Sequence, residues 1–588
     1  MKIEPKNRRN LLKAALGQIE SDLVVTNVSI VNVFTGEIYP ADVYVYDGFI
    51  AHVERGTPGK LKPAKKVYDG GGKTLIPGLI DAHMHIESSM LTPRNFARVV
   101  VPHGTTTIVH DPHEIGNVYG VEGVRYMHDS AADLPMRQLV DIPSCVPAVP
   151  GCENAGAAFF AKEIRELAKL DRVVGLAEVM DFVGVIEGED RMMEIIQAAE
   201  EAGLYLQGHS PNVTGRQLSA YLCGGPSTDH EAESAEEALE KLRSGMYVDA
   251  RESSISQDVE AIWSGVKNLK CLDTLCLCTD DRESGDLLNE GHLNAVVRKI
   301  IACGMDPVLA IKSATINTAR EVGLKRLGAI APGYAADLVL VGELKDMNAS
   351  AVFFGGNLVA ENGKLTAEIP HEPYEIESRN SLVVKPLSKE DFIIHPPVQN
   401  GTVKVNVMYY DLLTNSQTSC VPKEIEVKNG ELQLTENQKF VAVVNRYPNH
   451  DTIALHVMEN FGTTHGALAS TVSHDSHNLT IVYDTPENAL AAANELIHVH
   501  GGMTAVENGA VIQTLKLEVA GLMSTLPAEE LSQEAAKMKE AERRLGITAP
   551  RNPLLRIVTC ALPVDPMVKM SDLGLVDVAE KKLVPLFA

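Results

Sequence analysis

The N-terminal part of the chain alternates apolar and polar residues with the period of two that is typical of β-strands. A stretch with helical spacing over 8–19 comes first, and short alternating runs then extend from Asp22 to about Asp69. Turn residues divide these runs at Thr35-Gly36, Asp47-Gly48 and Asp69-Gly70. Short alternating runs separated by such turns predict a small antiparallel β unit.

Between about residues 76 and 322 the pattern changes to strand, polar loop and helix in regular repetition. The first helix begins at Thr92-Pro93, a capping residue followed by a proline in the first turn. After the opening strand, seven more strand-like runs occur at 106–109, 138–142, 173–177, 204–207, 227–229, 246–249 and 274–277. Eight β/α units in about 245 residues have the usual size of a closed parallel barrel. The pattern therefore predicts a TIM (β/α)8 barrel.

Short alternating strands return after the barrel, at 333–341 and 351–359. We expect them to complete the first β unit, so that the barrel is inserted in a small β-sandwich domain. A proline- and serine-rich stretch around 369–388 is typical of a linker. The predicted fold class is α/β, with the N-terminal helix and first part of the small β domain at 1–75, the barrel at 76–322, the return strands at 323–370 and a C-terminal α/β domain at 385–588.

Composition and charge limit the possible partners. A chain of 588 residues is too long for one hydrophobic core, so several domains are expected. Its net charge of −25 argues against nucleic-acid or anionic-membrane binding, because no basic surface offsets it. The nine cysteines are scattered, as in reduced cytoplasmic proteins, and no apolar run reaches membrane-spanning length. We expect a cytoplasmic protein with a small-molecule substrate.

The most informative motif is His83-Met84-His85, which ends the first predicted strand of the barrel. Alternate side chains of a strand point to the same face, so the two imidazoles lie on one side, about 7 Å apart along the strand. Two neutral imidazoles placed in this way are able to share one divalent ion. A His-x-His pair by itself also occurs at strand ends without a metal.

Six side chains at predicted strand ends form a set with its own chemistry: His83, His85, Glu178, His209, His230 and Asp280. The first two histidines and the aspartate could hold one ion, the other two histidines a second, and Glu178 could bridge them. Two ions about 3.5–4 Å apart share a water and lower its pKa toward neutrality. A structural role is favoured for four further histidines, since their spacing does not indicate ligands: His103, His110, His113 and His292.

With this ligand pattern the chain resembles the amidohydrolase superfamily, and within it the bacterial adenine deaminase family. Glutamate on strand four, where many superfamily members carry a carboxylated lysine, is a specific part of the resemblance. The resembling segments are 80–90, 111–115, 144–147, 175–181, 278–282 and 471–478. They extend over essentially the whole chain, including the C-terminal domain that most amidohydrolases lack.

The resemblance implies hydrolytic deamination of free adenine to hypoxanthine and ammonia by a metal-bound hydroxide at a binuclear centre. It also implies two divalent ions, Mn2+ or alternatively Fe2+, and a homodimer or higher homo-oligomer. We expect Asp280, Glu178 and Glu114 to be catalytic, with Asp280 moving the proton from water to the leaving amine. Contact with the purine is expected from Asp111, Glu87, Glu114 and Ser144, although the carboxylates among them could equally be helix-capping or supporting groups.

Three other interpretations remain open at this point. A cyclic-amide hydrolase shares the barrel but would be expected to present lysine at the position of Glu178. An N-acetyl sugar-phosphate deacetylase needs a basic phosphate pocket, for which only Arg251 and Arg282 are candidates. A non-enzymatic assembly protein on this scaffold would have lost ligands, and this chain has all six.

Three histidines lie within 13 residues of the C-terminal domain, at His465, His474 and His477. Glycine and serine flank them, so the segment is a loop. It is either solvated or structural, or it covers the barrel mouth and helps to exclude water, which strengthens the electrostatic interactions inside a site.

Overall fold

A computed structural model describes residues 3–56, 62–370, 372–411, 417–548, 552–565 and 567–588 of the chain. The first helix, α1 (Arg8–Ala15), begins at Asn7, whose side chain accepts a hydrogen bond from the backbone of Asn10. Five strands follow it: β1 (Ser21–Asn32), β2 (Glu37–Tyr46), β3 (Phe49–Arg55), β4 (Ala64–Asp69) and β5 (Thr74–Pro77). Strands β1, β2 and β3 form an antiparallel meander.

The prediction that this unit is purely antiparallel was wrong. Strands β4 and β5 both run parallel to β1. A strand that begins at the same end of the sheet as β1 runs parallel to it, and the first residue of β4, Ala64, lies beside the first residue of β1, Ser21.

Eight parallel strands follow: β6 (Leu79–Met84), β7 (Thr105–His110), β8 (Arg137–Ile142), β9 (Val173–Val179), β10 (Tyr205–Gly208), β11 (Thr228–Asp229), β12 (Tyr247–Arg251) and β13 (Leu275–Cys278). Backbone pairing gives one sheet of order β10-β9-β8-β7-β6 and another of order β11-β12-β13. Two hydrogen bonds of 3.1 Å join these sheets, from Ser227 N to the Leu206 carbonyl and from Asp280 N to the His83 carbonyl. The eight strands therefore fit a TIM-like barrel.

Helices connect the barrel strands and cover them from outside. They are α2 (Pro93–Val100), α3 (His113–Ser130), α4 (Ala161–Leu167), α5 (Phe182–Glu187), α6 (Asp190–Glu201), α7 (Gly215–Cys223), α8 (Ala235–Arg243), α9 (Val259–Val266), α10 (Ser284–Glu290), α11 (Leu293–Ala302), α12 (Pro307–Lys312) and α13 (Thr318–Glu321). Helix α8 begins at Ser234, whose hydroxyl accepts a hydrogen bond from the backbone of Glu237, as the Ser-x-x-Glu spacing predicts. Among the described residues, no helix combines the length and apolar character needed to cross a membrane.

The strands after the barrel join the N-terminal ones. They are β14 (Leu338–Val341), β15 (Ala349–Phe354), β16 (Asn357–Glu361) and β17 (Lys364–Leu365). Strand β14 pairs antiparallel with β5, so all nine strands hydrogen-bond into one continuous sheet. This differs from the two separate sheets expected for a sandwich, because β5 uses both of its edges, one toward β1 and one toward β14.

The C-terminal part has a second nine-stranded sheet. Its elements are β18 (Gly401–Tyr410), β19 (Thr418–Lys428), β20 (Glu431–Leu432), β21 (Gln438–Val444), β22 (Ile453–Glu459), β23 (Ala467–Ser470), β24 (Leu479–Tyr483), α14 (Pro486–Val499), β25 (Gly502–Glu507), β26 (Ala510–Lys516) and α15 (Ala528–Arg544). A short helix and a three-stranded sheet complete the chain: α16 (Leu555–Val558), β27 (Val568–Ser571), β28 (Gly574–Asp577) and β29 (Lys582–Val584). Most strand pairs of the larger sheet are antiparallel, whereas β18 and β22 run parallel.

The C-terminal part packs directly on the barrel. One hydrophobic cluster contains Leu91 and Phe96 of the barrel together with Met523 and Leu531 of the C-terminal part. The backbone of Ser524 also donates a hydrogen bond of 2.8 Å to the carbonyl of a residue just after the first barrel strand, Met90. The barrel mouth and the C-terminal part therefore share one buried interface.

We expect Gly78→Ala to destabilise the protein, because Gly78 sits where the chain passes from β5 to β6. A Cβ at this position would lie 2.2 Å from Thr106 Oγ1 and 2.8 Å from Thr106 Cγ2. Crowding of this kind typically costs about 1–3 kcal/mol. The thermal unfolding midpoint should fall by several degrees, whereas Gly342→Ala, with open space around the added Cβ, should leave it unchanged. Equal midpoints for the two variants would contradict this account.

Candidate metal centre and active site

The six predicted metal ligands meet at one end of the barrel. His83 and Glu178 are the penultimate residues of β6 and β9, and the others follow their strands by one or two residues: His85, His209, His230 and Asp280. Five of the six are buried, and the side chain of His209 is 12% exposed. Parallel strands in a closed barrel bring their carboxyl ends to the same face, which is why six residues distant in sequence become neighbours.

The carboxylate of Glu178 faces two different pairs of histidines. Its Oε1 lies 3.3 Å from His85 Nε2 and 4.0 Å from His83 Nε2. Its Oε2 lies 2.7 Å from His209 Nδ1 and 3.2 Å from His230 Nε2. One oxygen is thus directed to each donor set, which is the arrangement of a carboxylate that bridges two ions.

Asp280 completes the first donor set. Its Oδ1 lies 3.4 Å from His83 Nε2 and 3.3 Å from His85 Nε2. Donor atoms bound to one ion at about 2.1 Å lie roughly 3–3.5 Å from one another. The spacing and the donor types therefore fit a divalent ion at this set, and a second ion at the set on the other side of Glu178.

Hydrogen bonds outside the centre orient the first two imidazoles. His83 Nδ1 lies 3.0 Å from Gln207 Oε1, and His85 Nδ1 lies 3.0 Å from the Asp111 carbonyl. Donation from Nδ1 leaves the Nε2 lone pair of each ring directed at the centre, as metal binding requires. His83 Nε2 is also buried without a hydrogen-bond partner among the described residues, which is the state expected of a metal-binding atom.

A buried ion-pair network fixes the loops that carry the second donor set. Lys241 is fully buried, and its Nζ donates to Asp229 Oδ2 at 2.8 Å and to the Ser210 carbonyl at 2.7 Å. Asp229 directly precedes one ligand histidine, and Ser210 directly follows the other. The Ser144 hydroxyl similarly donates to the Glu178 carbonyl at 2.6 Å and holds the end of β9.

Arg251 compensates the negative charge beside the centre. Its Nη1 lies 3.2 Å from Asp280 Oδ2, its Nε donates to Asp258 Oδ2 at 3.0 Å, and it forms an ion pair with Glu231. Burial raises the pKa of Asp280. The close contacts with the two histidines of the first donor set and the charge of Arg251 outweigh that effect, so its pKa is well below the ordinary range. Asp280 is therefore an ionised group at neutral pH.

The structure places His113 inside the centre, contrary to the structural role favoured from sequence. His113 Nδ1 lies 2.9 Å from Asp111 Oδ2 and 3.4 Å from Glu178 Oε1. The signal that could have revealed it is its position just after β7, where the other strands also deliver functional residues. His292, in contrast, lies in hydrogen-bond contact with Thr105 and Thr279, which agrees with a structural role.

The four residues expected to contact the purine are all buried behind the ligands. Asp111 pairs with His113, and Ser144 holds the Glu178 backbone. Glu114 Oε1 accepts a hydrogen bond of 2.8 Å from the Ser88 hydroxyl. Burial and the neighbouring Glu114 raise the pKa of Glu87 to about 8, so its carboxyl is protonated at neutral pH. Substrate contact by Asp111, Glu87, Glu114 and Ser144 stays a prediction.

A cavity of about 390 Å3 opens over the centre, a size that suits a small-molecule ligand. The barrel contributes the ligands His85, Glu178, His209, His230 and Asp280, together with His113 and Asp281. The C-terminal part contributes a second wall, made by Gln417, Thr418, His474, Asp475, Thr559, Leu562, Val564, Asp565 and Met567. The site is therefore built by both parts of the chain.

The three C-terminal histidines occupy different environments. His465 lies at the surface, where its Nε2 is 2.7 Å from Glu507 Oε1. His474 lines the cavity, and His477 is buried behind it, with its Nε2 3.9 Å from Glu114 Oε2. The loop of residues 471–478 between β23 and β24 thus reaches the barrel mouth, and His465 takes no part in it.

Comparison with known proteins gives matches along most of the chain. The amidohydrolase family model matches residues 74–359, and the adenine deaminase C-terminal domain model matches residues 415–582. Adenine deaminase 3 of Rhizobium meliloti (strain 1021) is 39% identical over 97% of this chain and 96% of its own. Adenine deaminases of Ruegeria sp. (strain TM1040) and Methanothrix thermoacetophila are 38% and 39% identical, over 98% of this chain and 96% and 99% of their own.

We expect Glu178→Gln to lower the metal content of the protein by at least about half. The neutral amide is a weaker ligand and cannot bridge two cations as the carboxylate can. Elemental analysis of the purified variant and of the wild-type protein, both exposed to excess Mn2+ and then desalted, measures the effect. Glu233→Gln, at a half-exposed carboxylate on the cavity rim, is the matched control and should bind as much metal as the wild type. Full metal content in Glu178→Gln would exclude the bridging role.

Proposed function

The chain belongs to the adenine deaminase family of the amidohydrolases, and from this membership we propose that it hydrolyses free adenine to hypoxanthine and ammonia. The structural observation that best supports this reaction is the position of Glu178. Its two oxygens face two separate sets of buried donors beneath a cavity of small-molecule size. Adenine C6 is a weak electrophile, so its hydrolysis needs a strongly activated water.

Two divalent ions, when bound, supply that activation by lowering the pKa of water toward neutrality. His83, His85 and Asp280 would hold one ion, His209 and His230 the other, and Glu178 would contact both. Imidazole and carboxylate donors without a thiolate suit manganese or iron, and we propose Mn2+, with Fe2+ as the alternative. His113 lies close enough to Glu178 to adjust the position of the bridging carboxylate.

Asp280 is the proposed proton carrier of the reaction. It lines the cavity, its carboxylate is ionised, and Arg251 holds its Oδ2 in place. A carboxylate in this position can accept the proton of the attacking water and release it to the departing amine. The other proposed acid, Glu114, lies outside the cavity lining and is connected to it through Ser88. The Ser88 hydroxyl lies 2.8 Å from Glu114 Oε1 and 2.5 Å from Asp281 Oδ1, and Asp281 lines the cavity.

The two rival enzyme classes fit the site less well. A cyclic-amide hydrolase of this barrel type would be expected to have lysine at position 178, where this chain has glutamate. A sugar-phosphate deacetylase needs free basic groups for its phosphate. Arg251 is already paired with Glu231 and Asp258, and Arg282 with Glu290 at 2.7 Å, so neither guanidinium is available.

Three further features are part of the proposal. The small β domain at 1–75 and 323–370 encloses the barrel at 76–322, and this division is supported by the pairing of β5 with β14 across the barrel. The C-terminal domain begins near residue 385.

A cytoplasmic location is supported by nine free cysteines, and a homo-oligomeric state follows from the family resemblance alone.

The function is tested by the turnover of a panel of substrates by the Mn2+-loaded protein. Adenine should be converted to hypoxanthine, whereas adenosine, cytosine, a cyclic amide and an N-acetyl sugar phosphate should give at most about 1% of that rate. Hypoxanthine is identified by chromatography and ammonia by an enzyme-coupled assay. The ring-opened product of the cyclic amide and the acetate released from the sugar phosphate are also measured by chromatography, because neither reaction produces ammonia. Hydrolysis of the cyclic amide or the sugar phosphate in preference to adenine would overturn the proposal.

Asp280→Asn separates proton transfer from metal binding. In preparations that contain as much metal as the wild type, we expect turnover of adenine to fall at least about a hundredfold, because an amide cannot accept the proton. Asp273→Asn is the matched control, since Asp273 is an exposed carboxylate before the same strand and pairs with Lys312 at the opposite end of the barrel. If added metal restores the rate of Asp280→Asn, the residue is only a ligand.

A further inference from the structure

The 471–478 loop carries a buried carboxylate at the wall of the cavity, and one of its oxygens has no hydrogen-bond partner among the described residues. Asp475 is 1% exposed and lines the cavity. Its Oδ1 lies 3.5 Å from His113 Nε2 and 3.7 Å from His474 Nδ1. Its Oδ2 is buried and makes no hydrogen bond with any described residue.

Other carboxylates of the cavity are already engaged. Glu178 and Asp280 face the ligand histidines, Glu231 pairs with Arg251, Asp281 bonds to Ser88, and Asp565 lies 2.7 Å from Lys569 Nζ. Burying a polar oxygen without a donor is unfavourable. Asp475 Oδ2 is therefore a candidate acceptor for a hydrogen bond from a molecule that occupies the cavity.

Neighbouring hydrogen bonds hold the loop in one position. The backbone of His474 donates to the Val558 carbonyl at 3.1 Å, and the backbone of His477 donates to the Ser473 carbonyl at 2.8 Å. The Asn478 side chain donates to the Asn154 carbonyl of the barrel at 2.8 Å. Asp475 is thus fixed before a ligand arrives, which lowers the entropic cost of binding.

We propose that Asp475 is the residue that selects the free purine base, by accepting a hydrogen bond from the N–H of its imidazole ring. This inference rests on the proposed function and extends it. A free purine carries one such N–H, on N7 or N9, whereas a nucleoside or an N-methylated base carries none. Because Asp475 is the open acceptor, a base without that N–H leaves its carboxylate buried and unpaired, and is rejected.

The imidazole of His113 lies between Asp475 and the candidate metal centre. Its Nδ1 is 3.4 Å from Glu178 Oε1 and its Nε2 is 3.5 Å from Asp475 Oδ1. A purine whose C6 lies at the metal centre can direct its five-membered ring toward Asp475. The barrel then supplies the chemistry, and the C-terminal part supplies the specificity.

The test uses equilibrium binding of the reaction product, which is not consumed. Calorimetry with the full-length, metal-loaded protein compares hypoxanthine with 7-methyl- and 9-methylhypoxanthine, which lack the imidazole N–H. The wild type should prefer hypoxanthine over both methylated bases by roughly a hundredfold. Asp475→Asn should lose most of that preference, because its affinity for hypoxanthine falls while its affinity for the methylated bases changes less than about threefold. The kcat/KM for adenine should fall in parallel.

Several outcomes would overturn the inference. Equal wild-type affinities for the three bases would do so without any variant, even if Asp475→Asn failed to fold. So would an unchanged preference in Asp475→Asn, or an equal loss of affinity for all three bases. His113, His474 and Asp475 also have the side-chain types of a cation site. A third ion per chain that disappears in Asp475→Asn would therefore count against base recognition.

Two measurements keep this inference separate from the proposed function. Asp451→Asn makes the same chemical change at an exposed carboxylate of the same domain, paired with Lys385, and should keep the wild-type preference. Ammonia release from adenine by the wild type is measured on the same preparations. If the wild type deaminates adenine and the base preference is absent, only the role of Asp475 fails. If it binds hypoxanthine with the expected preference but does not deaminate adenine, the proposed function fails.

Discussion

The rest of the site depends on the placement of one carboxylate between two sets of imidazoles. Glu178 directs Oε1 to His85 and Oε2 to His209, and its own charge is buried. A buried charge of this kind is stable only when cations or strong donors surround it closely. Neighbouring strands of a barrel end at one face, so they can supply these partners from four other strand ends without any long loop crossing the site.

Acidic side chains around the candidate ligands are likewise paired with buried cations. Arg251 joins Asp280 to Asp258 and Glu231, and Lys241 neutralises Asp229 next to a ligand histidine. Most of these groups are buried and Glu231 is partly so, and removing Arg251 or Lys241 would leave several carboxylates without their cation. The ligands are consequently held by a rigid shell, and rigid ligands are what a metal centre of defined geometry requires.

The C-terminal part is an integral part of the site. It shares a hydrophobic cluster with the barrel through Leu91 and Met523, and it provides the second wall of the cavity, including His474 and Asp475. Walls from both parts reduce the contact of the cavity with solvent, and polar groups act more strongly on a ligand where water is excluded. In the proposed role of Asp475, this division would let the barrel keep its metal-binding residues while the C-terminal part selects the substrate.

The sequence by itself was sufficient for features that follow from local periodicity. Alternating and helical patterns located the eight barrel strands, and the residues at their ends included the six predicted ligands, which the structure brings together. Contacts between distant segments have no such periodic signal. Only the tertiary structure showed that His113 reaches Glu178, that Arg251 is paired with acids, that β5 joins both halves of one sheet, and that Glu87 and Glu114 lie behind the cavity wall. Asp475 was equally hidden, because its meeting with His113 joins residues 362 positions apart and depends on how the C-terminal part packs against the barrel.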